Sequence, residues 1–130
     1  MAHPNAELVR SGYEAFQRGD VEGALAAFAD DIVFHIPGRS PVAGDYHGHQ
    51  EVMGFFGKLF ESSSGTFRLD IHDIAGTDEH VMALVVLSGE KDGNSHTSNG
   101  AHVWHVKDGK ATEFWGLSAD PYGDDEFWSS

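Results

Sequence analysis

Nine histidines, 21 Asp plus Glu and no cysteine leave imidazole and carboxylate chemistry as the main repertoire of this 130-residue chain. Thiolate nucleophiles, thiolate metal sites and disulfides are excluded together. The most suggestive histidine is His102, followed by Val103 and Trp104 in an apolar stretch. An imidazole in such surroundings suits a general base near neutrality, and a hydrogen-bonded sheet histidine without a task carries the same signature. Tyr13 falls on the apolar stripe of the first helix with a hydroxyl to place, toward a pocket or within the core. His47-Gly48-His49 with Glu51 has the spacing of a metal pair on a strand, but a helix starting at His49 makes them two loop histidines. His102-x-x-His105 spans opposite faces of a strand, and His3, His72, His80 and His96 read as solvated surface. No metal and no cofactor is expected, since phosphate loops, nucleophile elbows and dinucleotide fingerprints are also missing.

Charge narrows the partners. Eight Lys plus Arg against 21 acids give a formal charge of −13. Nucleic acid and anionic membrane surfaces both need clustered cations, so neither is an expected partner. No apolar run approaches the ~20 residues of a membrane helix, and the N-terminus lacks a signal-peptide pattern, which makes cytoplasmic the default. The length fits one domain spanning residues 1–130.

These residues need a scaffold. Asn5 reads as the N-cap of a first helix with Leu8, Val9, Gly12, Tyr13 and Phe16 on one stripe, closed by Arg18-Gly19. Asp20 caps a short second helix through Val21, Ala24, Leu25 and Phe28. Ile32–Ile36 is a strand with Ile32, Phe34 and Ile36 on one face and Val33 and His35 on the other. A turn-rich stretch from Gly38 to Gly48 leads to a third helix over 49–62, striped by Val52, Phe55, Phe56 and Leu59. Strands follow over 66–75 and 80–90, then 96–107 and 111–119, with Asp92-Gly93 and Asp108-Gly109 as hairpin turns. The near-continuous apolar run His80–Leu87 predicts a strand buried on both faces. Pro121–Ser130 is acidic yet holds Phe127-Trp128, too apolar for a free tail. Helices followed by an antiparallel meander predict an α+β fold with a pocket between the layers.

Residues 8–20, Leu-Val-Arg-Ser-Gly-Tyr-Glu-Ala-Phe-Gln-Arg-Gly-Asp, with Ala-Leu-Ala-Ala-Phe-Ala-Asp-Asp-Ile-Val-Phe over 24–34, resemble the opening of SnoaL-like and ketosteroid-isomerase-like proteins. These belong to the nuclear-transport-factor-two-like superfamily. Ala43-Gly44…Gly48 and Val106-Lys-Asp-Gly-Lys110 fit as well, so the resemblance covers nearly the whole chain. It implies a cone-shaped, curved, mixed but mainly antiparallel sheet, with three N-terminal helices over its concave face. The isomerase carboxylates are not retained. Ile36 stands where the base Asp precedes the strand-ending Pro, the second Asp aligns with Ala101 or His102, and the helix-1 Tyr aligns with Gly12, one residue from Tyr13.

The cyclase-like branch is more similar, with Trp115 on the last strand and Asp120 after it. There a penultimate-strand His and an Asp near the end of the last strand act in acid–base catalysis. That implies roles for His102 or His105 and for Asp120, although Asp120 also reads as the start of the turn into Pro121. A two-residue turn at Asp108-Gly109 would set His102 beside Trp115 and Trp104 beside Glu113, leaving Asp120 on the other face. A bulge could bring both inside.

The resulting expectation is a cofactor-independent isomerase- or cyclase-like enzyme for a small, apolar carbonyl, polyketide-like or epoxide molecule. Its alternative is a non-catalytic ligand-binding or dimerisation module of the same fold. His102, Asp120 and Tyr13 would be catalytic, and Phe34, Ile36, Phe55, Phe56, Trp104 and Trp115 would line the substrate site. A homodimer through the convex sheet face is expected from the apolar residues on both sides of the strands.

Overall fold

Helices and strands segregate along the chain over residues 3–129, which the computed structural model describes. Helix α1 (Pro4–Gln17) and the short α2 (Val21–Leu25) precede strand β1 (Phe28–Ile36). Strand β2 (Gly44–His47) runs directly into α3 (Gly48–Ser62). A meander of β3 (Arg68–Gly76), β4 (His80–Lys91), β5 (Asn94–Lys107) and β6 (Lys110–Ser118) is followed by α4 (Pro121–Ser129). The six strands form one sheet in the order β2-β1-β6-β5-β4-β3. Only the β1–β6 pair is parallel. The α+β cone is therefore the architecture.

Local sequence explains most of these elements. Asp92-Gly93 and Asp108-Gly109 adopt left-handed φ angles of 52° and 82°, and 52° and 75°. Those values define the type I′ hairpins that Asp-Gly favours. Gly19, at φ 80°, turns the chain after α1. Alternation then sorts the strands: Val81, Ala83 and Val85 of β4 are buried on the inner face with Trp104 and Val106 of β5. Helix α3 packs on β1 and β2, and α1 on β3 and β4. The layers meet in an aromatic core in which the Phe34 and Phe114 rings stack at 4.4 Å.

Several sequence expectations shift. Helix α1 starts at Pro4, with His3 as its cap accepting from the Asn5 N–H, so Asn5 is already inside the helix. Phe28 is the first residue of β1 and does not belong to α2. Its neighbour Ala27 accepts a hydrogen bond from the Ala111 N–H at 2.9 Å, which draws the chain into the sheet. β2 forms inside the turn-rich stretch, and the final acidic segment is a fourth helix seated on β5 and β6, with Phe127 stacked on His96 of β5. β4 is not buried on both faces: Met82 is 44 % and Leu84 50 % exposed on the outer side.

Candidate functional site

Between the helices and the inner sheet face lies a cavity of about 150 Å³. That is the size of an apolar void that accepts an aromatic ring. Phe34, Ile36, Phe55, Phe56 and Trp104 line it, as their strand and helix phases predict. The exposed members of the lining, Pro37 and Leu117, mark its rim. Gly116 lies across the strand pair from His102, and a Cβ there would meet the Phe114 ring and Pro37 at 3.5 and 3.6 Å. The missing side chain leaves the space beside the imidazole open.

One polar relay crosses this apolar interior. The Trp104 Nε1–H donates to the Tyr13 hydroxyl oxygen at 3.0 Å, and Tyr13 lies 2.7 Å from His102 Nδ1. Indole is only a donor, so the tyrosine oxygen accepts and its own proton is free to go to Nδ1. That leaves the imidazole proton on Nε2. Every fully covered side-chain nitrogen and oxygen among the described residues has a partner, and Nε2 makes no hydrogen bond. Nε2 is thus open to the cavity that His102 lines.

Burial sets the electrostatics. His102 is 8 % exposed, and desolvation lowers its pKa to about 3, so the imidazole is neutral at physiological pH. Burial likewise pushes the Tyr13 hydroxyl far above the usual tyrosine range, with the Trp104 N–H opposing it. A neutral ring whose Nδ1 is occupied presents a hydrogen-bond donor to the cavity. Such a donor can hold or polarise a ligand oxygen.

The structure brings Tyr13 and His102 together and leaves two other candidates outside. Asp120 is exposed and does not line the cavity; its carboxylate accepts from the Gly123 N–H at 3.0 Å at the start of α4. Trp115 sits on the outer face, stacked on His35 at 5.4 Å. The cause is a bulge after Ala111, where one extra β6 residue shifts the register so that His102 pairs with Gly116 and Val103 with Trp115. Trp104 and Phe114 thereby enter the inner face, while Asp120 stays beyond the strand end. His105 is also outside, 3.6 Å from Glu113.

The loop histidines find structural uses. The Glu51 carboxylate accepts from the His47 N–H, and His49 Nε2 donates to the Phe28 carbonyl. No group of three or more metal-ligating side chains among the described residues could hold an ion. Sequence reasoning missed Asp124, Asp125 and Trp128, which α4 brings to the rim. The apolar Phe127-Trp128 pair in an acidic tail was the one available signal. His96, read as surface, instead binds Asp124 at 2.6 Å while stacked on Phe127.

Comparisons agree with this architecture. A family model for the SnoaL-like domain matches residues 9–114. An uncharacterized protein of Mycobacterium tuberculosis is 29 % identical over 124 residues, 95 % of each chain. Bal32a, from a soil-derived mobile gene cassette, is 31 % identical with a TM-score of 0.93, covering 98 % of both chains. An NTF2-like protein of Burkholderia pseudomallei is 28 % identical with a TM-score of 0.88, over 98 % of this chain and 99 % of that one. A Xanthomonas campestris structure proposed to be a polyketide cyclase shares the fold at 24 % identity and a TM-score of 0.70, over 87 % and 88 % of the chains.

Proposed function

Since the chain belongs to the SnoaL-like domain family, we propose that it takes a small, largely apolar carbonyl compound and promotes isomerisation or ring closure without a cofactor. One observation carries this reading: an aromatic cavity whose buried relay, Trp104 to Tyr13 to His102, ends in an open Nε2–H. Sequence alone suggested His102 as a base. The relay and the lowered pKa favour a different role, in which neutral His102 donates to a carbonyl oxygen and stabilises the enolate formed as an α-proton passes to solvent water. Tyr13 is then a positioning residue that fixes the tautomer. Polyketide-like ketones and epoxides both present a suitable oxygen. The alternative, a binding module without catalysis, is favoured by the absence of Asp120 from the cavity.

Acetophenone and ethylbenzene test the reading, being alike in shape but differing in the oxygen. Acetophenone is expected to bind the native protein about 10-fold tighter, the worth of one buried hydrogen bond, as measured by ligand-observed NMR. His102→Leu should erase that preference while ethylbenzene still binds. Equal binding of both compounds to the native protein would overturn the carbonyl contact. Exchange of the acetophenone methyl protons in D₂O, read by proton NMR, separates the two classes. Accelerated exchange that disappears in His102→Leu supports the enzyme, and tight binding without exchange supports the module.

The outer sheet face supports a homodimer as part of the same proposal. Met82 and Leu84 lie exposed on it beside Val103 and Ala101. Leu84→Glu is expected to turn a dimer into a monomer in analytical ultracentrifugation, and a native monomer would refute the pairing.

A further inference from the structure

The cavity carries a second polar feature that the relay does not use. Among the described residues its acidic lining is Asp124 and Asp125, both from α4, and no Lys or Arg lines it. Asp124 is held by His96 at 2.6 Å, with both side chains mostly covered. Asp125 is held differently. Its Oδ1 accepts the Arg39 backbone N–H at 2.9 Å, over Gly38, whose φ of 102° and lack of a side chain make room for the carboxylate. Asp125 Oδ2 has no hydrogen-bond partner among the described residues and, like Nε2 of His102, is not fully covered.

The backbone links this carboxylate to the imidazole. Pro37 adjoins Gly116, Gly116 pairs with His102, and Gly38 adjoins Asp125. His102 also lies two residues along β5 from Gly100, whose partner Ser118 lines the cavity. The cavity therefore offers a donor at His102, apolar walls for a ring, and an acceptor at the rim.

We propose that Asp125 is a specificity-determining residue, and that the ligand is an aromatic or cyclic ketone bearing a hydrogen-bond donor, hydroxyl or ammonium, across the ring from its carbonyl. This rests on the carbonyl contact at His102 proposed above and adds the second pole. An anionic substituent would meet Asp125 and Asp124 with no cation in the lining to offset them, on a chain already at −13. The site thus selects by attraction at one rim group and by repulsion of acids at the same place.

Four para-substituted probes read this directly: acetophenone, 4-hydroxyacetophenone, 4-(aminomethyl)acetophenone and 4-acetylbenzoate, titrated by ligand-observed NMR. The native protein is expected to bind the hydroxyl or the ammonium compound about 5-fold tighter than acetophenone, and 4-acetylbenzoate about 10-fold weaker. Which donor wins distinguishes a neutral from a cationic ligand. Asp125→Asn retains an oxygen for the Arg39 N–H, so the rim loop keeps its anchor. In that variant the ammonium advantage should vanish, and the 4-acetylbenzoate penalty should shrink by about 5-fold relative to acetophenone. Acetophenone is the reference within each protein, so general unfolding lowers all four affinities together and leaves their ratios untouched. Unchanged ratios in Asp125→Asn, or native 4-acetylbenzoate binding as tight as the hydroxyl compound, would overturn the assignment. Flat rim ratios alongside a retained preference for acetophenone over ethylbenzene would remove Asp125 and leave the His102 reading standing. Loss of that preference would remove the His102 reading itself.

Discussion

His102 and His35 face opposite sides of the same sheet, and the fold treats them in opposite ways. His102, on the inner side, packs against Tyr13 and Phe114 and has no carboxylate partner among the described residues. His35 is on the outer side, where Nδ1–H donates to Asp45 at 2.8 Å and Nε2–H to Glu113 at 2.6 Å. Donation from both nitrogens requires the imidazolium. Hydrogen bonding to Glu113 first, and to Asp45 second, raises the His35 pKa, whereas burial lowers that of His102 to about 3. Histidine on a strand is thus no more than an opportunity. The face it occupies, and the carboxylates that face carries, decide whether it becomes a neutral donor or a proton-holding partner of acids.

The largest expected effect follows from the inner member of the pair. An unfolded histidine titrates near 6.5, so below that pH the unfolded chain takes a proton that native His102 refuses. Stability contributed by the neutral ring is therefore lost as pH falls from about 6.5 toward 3, by at most roughly 5 kcal/mol. Urea unfolding at pH 7, 5.5 and 4.5 should show that decline. His102→Phe should flatten it, and an equal slope in the variant would assign the acid sensitivity to other groups.

Tyr13→Phe should cost less, about 2–4 kcal/mol, because it strands the Trp104 N–H and His102 Nδ1 without partners in an apolar interior. Its diagnostic readout is the His102 ring in nitrogen-15 NMR. The native spectrum should show a single tautomer with the proton on Nε2, and the variant a mixture. A pure Nε2 tautomer in Tyr13→Phe would mean that something other than the relay fixes the ring.

How far the sequence reached follows from the same contrast. Helix stripes and Asp-Gly turns are local signals, and they placed α1, α3 and the three last strands with little error. Phe34, Ile36, Phe55, Phe56 and Trp104 reached the cavity because period and burial agree over short distances. Trp115 was misplaced because its face depends on one inserted residue at the β5–β6 bulge, which no pattern in either strand announces, and Asp120 because it lies past the end of β6 at the start of α4. Asp125 was invisible for another reason. Its position depends on α4 folding back over the sheet and on a glycine 87 residues earlier that leaves it room, a tertiary fact with no local trace. The Tyr13–His102 contact spans 89 residues and was legible only as two separate candidates.

The smallest effect belongs to His35, and it runs opposite to His102 in pH. Its folded pKa is raised, so its ion pairs stabilise fully below the unfolded value near 6.5 and fade as pH climbs through the folded value. Asp45 is 61 % exposed and Glu113 33 %, so solvent screens both bonds and His35→Gln should cost no more than about 1 kcal/mol at pH 6. The cost should shrink as urea unfolding is repeated from pH 6 up to pH 9. A cost that persists unchanged at pH 9 would mean that His35 acts through its stacking on Trp115 and not through charge. The two faces would then differ in packing alone, and the electrostatic contrast between the histidines would fail on its outer side.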